Sequence, residues 1–95
     1  MPTDEYLRRD DFVYRHVADE HLLVALRRDR VAPLFMLTIT GAHLWERLAR
    51  WSSRDALVQA LVERFDIDGD TAASDVATFL GQLQEIKALD SREVG

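Results

Sequence analysis

The chain has 95 residues, enough for one domain and too few for two. It has no cysteine, which excludes disulfides, thiolate metal sites and a Cys nucleophile. Its formal net charge of −5 sets it against phosphate backbones, and so against DNA or RNA as a partner.

Apolar residues make up 47% of the chain and are spread from Phe12 through Leu44, Trp45 and Leu61 to Phe79, which reads as globular with one small core. No apolar run approaches the roughly 18 residues of a membrane helix. The stretch Met1 to Asp11 is polar, with mixed charges and no signal-peptide apolar region, so no membrane association is expected and the cytoplasm is the expected compartment.

Residues 1–11 show no period and are expected to form a flexible N-terminus. The domain proper then spans residues 12–89. Phe12 to Val17 is rich in β-branched and aromatic types that suit a pleated surface, and His21 to Leu26 is a second run of the same kind. Asp19-Glu20 between them is not a favoured tight-turn pair, so a hairpin with a loop longer than two residues is expected. Arg27-Arg28-Asp29-Arg30 reads as a polar loop. Pro33 has no N–H to donate to a ladder, so Leu34 to Leu37 is expected to be a third strand with one open edge.

The period then becomes helical. Leu44, Trp45, Leu48 and Trp51 share one helix face, with Thr38 or Thr40 as N-cap and Trp51 half-exposed at the helix end. Ser52 or Ser53 starts a second helix, striped by Leu57, Val58, Leu61, Val62 and Phe65. Asp66-Ile67-Asp68-Gly69-Asp70 breaks it. A third helix is expected from about Asp70 to Leu89, with Ala72, Val76, Phe79, Leu80, Leu83, Ile86 and Leu89 on a stripe wide enough to meet two surfaces. Residues 90–95 are expected to be a flexible tail. Three strands followed by three helices make an α+β domain, a three-stranded antiparallel sheet packed on one side of a three-helix bundle.

Constellations that carry chemistry are sparse. His16, His21 and His43 lack zinc-motif spacing and read as structural. Asp66, Asp68 and Asp70 begin like a calcium loop, but Thr71 and Ala77 stand where that loop needs Gly and a bidentate Glu, so Asp68 or Asp70 is read as a cap for the third helix. There is no G-x-S-x-G and no phosphate-cradling glycine loop. The chain is therefore read as a binding module, not an enzyme, with no catalytic residue, metal or cofactor. Arg8-Arg9 and Arg27-Arg28/Arg30 are flanked by acids and read as solvated loops.

One segment is similar to a known family. Leu37-Thr38-Ile39-Thr40-Gly41-Ala42-His43-Leu44-Trp45-Glu46 resembles the PqqD-family pattern Leu-Asn-x-Thr-Gly-Ala-x-Ile-Trp-Glu. Leu61 to Asp68, then Asp75-Val76, Phe79-Leu80 and Leu83, follow the same family further on. The resemblance covers roughly residues 12 to 89. It departs at Thr38, where Asn is usual, at Val31-Ala32-Pro33-Leu34, which replaces Gly-x-Tyr, and at Glu85 to Leu89, which lacks the common Gly.

The resemblance implies a winged-helix-like RiPP recognition element. Such domains bind the leader of a ribosomally made precursor peptide and present it to a modifying enzyme, often a radical-SAM protein. It implies that the peptide adds as a strand along Leu34, Phe35, Met36, Leu37 and Thr38, against an exposed helix face at Phe79, Gln82, Leu83 and Ile86. On that expectation Phe79→Asp, or proline at Met36, abolishes binding without unfolding the domain. The alternative readings are a winged-helix DNA-binding regulator, which needs a basic recognition helix, and a structural or dimerising partner, since an open edge also allows self-pairing into a homodimer.

Overall fold

The computed structural model describes residues 3–26 and 34–94. The expected loop at Arg27 to Arg30, with Val31, Ala32 and Pro33, lies outside them. The element order is β1 (Thr3–Arg8), β2 (Phe12–Val17), β3 (Glu20–Ala25), β4 (Leu34–Leu37), α1 (Ile39–Arg47), β5 (Ser52–Ser53), α2 (Arg54–Phe65), α3 (Gly69–Glu85) and β6 (Leu89–Val94). The strands form two antiparallel sheets, ordered β2-β3-β4 and β5-β1-β6.

The first sheet is local and matches its sequence pattern. Phe12 pairs with Ala25 and Val17 with Glu20 across β2 and β3, and Leu23 pairs with Phe35 across β3 and β4. Successive side chains on a strand alternate between faces. Phe12, Leu23 and Ala25 are buried on the face toward the helices, whereas Leu34 and Met36, 59% and 68% exposed, stand on the other. The β2–β3 loop is shorter than expected: Ala18-Asp19 alone connect the strands. Ala18 makes the tight turn by adopting φ 53°, a left-handed conformation in which glycine is the usual residue.

The second sheet corrects the expectation of flexible ends. The segments Thr3–Arg8 and Leu89–Val94 pair along their full length, from Thr3 opposite Val94 to Arg8 opposite Leu89. β5 adds on the other side of β1 at Glu5 and Tyr6. Only Tyr6 of β1 is buried, so neither strand displays an apolar period of two. Cross-strand charge takes its place: Arg92 stands opposite Glu5 in register, with its Nη2 2.7 Å from the carboxylate. Arg9 also bridges Asp11 and Asp90 at the foot of the ladder. The Arg8 and Arg9 amides donate to the carbonyls of Leu48 and Ala88, tying β1 to the ends of α1 and α3.

Each helix begins with a side-chain cap. Thr38 Oγ1 accepts from the Gly41 amide at 3.0 Å, Ser53 Oγ from Ala56 at 3.1 Å, and Asp68 Oδ1 from Thr71 at 2.7 Å. The third helix stops at Glu85, earlier than expected. Lys87 turns left-handed with φ 60°, its amide donates to Gln84 O, and the Ala88 amide donates to Leu83 O. This is the Schellman closure that usually employs glycine. It frees Leu89 to begin β6.

Leu44, Leu48, Leu57, Leu61, Val76, Leu80 and Leu83 meet between the helices, and Tyr6, Phe12, Leu23 and Ala25 close the core from the two sheets. Trp45 is buried edge-on to Phe12. Trp51 lies beyond the end of α1, half-buried, with the Arg92 guanidinium 4.3 Å above its ring. No helix among the described residues is long and apolar enough to cross a membrane.

Candidate functional site

Four uncharged residues, Leu34-Phe35-Met36-Leu37, form β4 at the end of its sheet. One side of β4 pairs with β3, and among the described residues no strand pairs with the other. An edge of this kind presents a row of N–H and C=O groups to whatever lies beside it. Thr38 ends the strand and, as N-cap, turns the chain directly into α1.

Beside β4 runs α3. Between them is a groove of about 420 Å³ lined by β4, by Leu23 beneath it, and by Phe79, Gln82, Leu83, Glu85 and Ile86 of the helix. Its depth depends on Gly41. A Cβ built there would stand 3.1 Å from Phe79 Cε1 and 3.2 Å from Thr38 Oγ1, so a side chain would push the ring or the cap aside. With glycine in that position, the Phe79 ring lies flush against the first turn of α1.

The expected site residues divide in three. Leu34, Phe35, Met36 and Leu37 line the groove together with Gln82 and Ile86, and these side chains keep exposed or half-exposed surface. Phe79 and Leu83 also border it, but they are core residues, only 7% and 2% exposed, and form its floor rather than an exposed face. Phe79→Asp would therefore bury a charge and unfold the domain, contrary to the expectation for that variant. Thr38 does not line the groove; it is spent on the helix cap.

Two lining residues escaped the sequence reading. Leu23 follows only from knowing that it pairs with Phe35. Glu85 lies three residues beyond Gln82, hence on the adjoining turn of the same helix side, a spacing visible in the sequence.

The histidines lie elsewhere. His16 and His21 stack at 4.4 Å on adjacent strands, and His21 Nδ1 is hydrogen-bonded to the Tyr14 hydroxyl. His43 meets the Phe65 ring edge-on. Among the described residues no three His, Cys, Asp or Glu side chains gather into a metal-binding group. Asp66, the first of the three aspartates, sits left-handed at φ 53° where α2 ends, and Asp68 caps α3.

An open, uncharged strand edge beside an apolar helix groove defines an α+β module suited to receiving an extended chain segment. The family model for coenzyme PQQ synthesis protein D, PqqD, matches residues 20–89, and the chain belongs to that family. Among solved structures, the chain is similar to TbiB1 in complex with the TbiA(beta) leader peptide. The TM-score is 0.71 at 25% identity, over 88% of this chain and 94% of that one. A comparison with curated proteins finds no match.

Proposed function

We propose that this chain binds the leader segment of a ribosomally made precursor peptide by strand addition to β4, and presents it to a modifying enzyme. The observation that carries this reading is the juxtaposition of the unpaired, uncharged β4 edge with the groove against α3. Membership of the PqqD family and the likeness to a structure holding a leader peptide support it.

The peptide backbone satisfies the open hydrogen-bonding groups of β4, which gives affinity for any extended segment. Alternate side chains enter the groove over Phe79 and Leu83, beside Ile86, and these contacts select the sequence. Each apolar side chain buried there contributes about 1.5–3 kcal/mol. Two or three anchors with the strand bonds suffice for micromolar binding, about 8 kcal/mol. The chain itself does no chemistry in this reading. It holds the peptide while an enzyme, of the radical-SAM class or another, modifies the segment beyond the leader.

The DNA-binding alternative requires a basic helix, and α3 carries Asp70, Asp75 and Glu85 with no Lys or Arg.

The test is amide hydrogen exchange on the full chain with the precursor peptide encoded nearest its gene. Slowed exchange on binding is expected at those amides of Leu34 to Leu37 that face away from β3. Binding that leaves those amides unchanged and protects another surface overturns the reading. Proline substitution sharpens it, because successive N–H groups of a strand point to opposite sides. Of Phe35→Pro and Met36→Pro, the variant whose lost N–H faced outward is expected to stay folded and lose the peptide.

A further inference from the structure

Of the α3 residues that line the groove, Glu85 alone is charged. Over its 17 residues α3 has Asp70, Asp75 and Glu85 and no basic residue. Glu85 lines the groove, is exposed, and makes no ion pair among the described residues. Asp75, Thr78, Gln82 and Glu85 follow one another at three- and four-residue steps, which places them in one row along the helix. All four are exposed. The row flanks the apolar floor of Phe79 and Leu83 and carries a carboxylate at each end.

The strand side of the site is apolar on both faces. Phe35 and Leu37 face the groove while Leu34 and Met36 stand outward at 59% and 68% exposure. A strand added to β4 would have Leu34 and Met36 as neighbours for its outward side chains, and cross-strand neighbours contribute to sheet stability.

We infer that the segment this groove selects is apolar on both strand faces and cationic, with a Lys or Arg whose head group reaches the Glu85 carboxylate. This rests on the peptide-binding reading and specifies the chemistry of its ligand. Asp75 stands ten residues before Glu85, about 15 Å along the helix axis. An extended peptide covers that distance in about four or five residues, so a second basic residue at that separation meets the other end of the row. Long aliphatic stems of Lys and Arg suit such a site, since they lie along apolar surface while the charge stays in water. An acidic segment is rejected by the same carboxylates, and the net charge of −5 steers cationic segments toward the chain.

The test is selection of the full chain against a random peptide library of about twelve residues, long enough to overrun the four-residue β4 edge. Enriched peptides are expected to combine apolar residues with a Lys or Arg at a fixed place. Neutralising that residue is expected to weaken binding about two- to fivefold, as for an exposed ion pair. With Glu85→Lys, the same place is expected to switch to Asp or Glu. Enrichment of apolar peptides with no charge preference, or a preference that Glu85→Lys leaves unchanged, overturns this inference and leaves peptide binding standing. Failure to enrich any peptide, or peptides that bind equally to the folded β4 proline variant, overturns the peptide-binding reading and this inference with it.

Discussion

In the β5-β1-β6 sheet the central strand is hydrogen-bonded on both sides, and its flanking strands are either two residues long or studded with charge. In the β2-β3-β4 sheet one outer strand, β2, carries Arg15, whereas the other, β4, is Leu-Phe-Met-Leu, with no charge, no proline and no bulge within it. Short length and charge are the usual protections of an edge against stray pairing. The chain applies them to the sheet made from its ends and omits them at β4. The contrast teaches that an edge is informative by what it lacks: an unprotected strand beside a groove is exposed to unwanted association, and its retention calls for a function.

Substitutions in each sheet put this contrast to the test. The largest effect is expected from Tyr6→Ala, which removes the buried anchor of β1; denaturant unfolding should show a loss of about 3 kcal/mol. If the two sheets have separate roles, the folded fraction of this variant still binds peptide as the parent does. The converse variant is Met36→Lys, which protects the β4 edge. It is expected to weaken peptide binding at least tenfold, more than about 1.4 kcal/mol by titration calorimetry, while shifting the melting temperature by only a few degrees. Equal losses of stability and binding in both variants would erase the distinction.

A middle-sized effect is expected where α3 closes. Lys87→Gly relieves a left-handed residue with φ 60° and should stabilise the chain by up to about 1 kcal/mol in denaturant unfolding, the relief of strain exceeding the added backbone freedom of the unfolded chain. Arg92→Ala removes both the stack on Trp51 and the pair with Glu5. Half-exposed contacts of this kind predict a loss of about 0.5–1 kcal/mol by thermal melting at low salt, and less at high salt.

The smallest effect is a pH dependence. Hydrogen bonds from Thr71, backbone first, hold the Asp68 carboxyl below its ordinary value of 3.8. The folded chain then binds that proton less readily than the unfolded chain. The cap stabilises fully above about pH 3.8 and is lost as the pH falls through the lower folded value. The melting-temperature gap between the parent and Asp68→Ala should therefore close on acidification, and a gap that stays constant would exclude the charged cap.

The readable parts of the fold were those with a period. β2, β3 and β4 were visible from their β-branched and aromatic runs, and α1, α2 and most of α3 from apolar stripes whose caps at Thr38, Ser53 and Asp68 fell among the expected residues. The ends were not readable, because β1 and β6 are held by register, by Glu5 facing Arg92 and by one buried tyrosine, none of which leaves an alternating pattern. The end of α3 is hidden in the sequence for a related reason: Lys87 occupies a glycine position, so the usual stop signal is missing. In the groove, β4 and the helix residues were nameable, but whether Phe79 and Leu83 are floor or rim depends on Gly41 admitting the ring, a matter of packing that spacing does not encode.

The pairing of Thr3 with Val94 has a consequence for engineering. The two limits of the described chain sit side by side, on the sheet that does not contain β4. A short linker joining them would leave every strand pairing intact, and new termini could be opened in the exposed Ala18-Asp19 turn, so the molecule should tolerate circular permutation. The same geometry suits insertion of the whole module into a surface loop of a carrier protein, which would tether it at one corner.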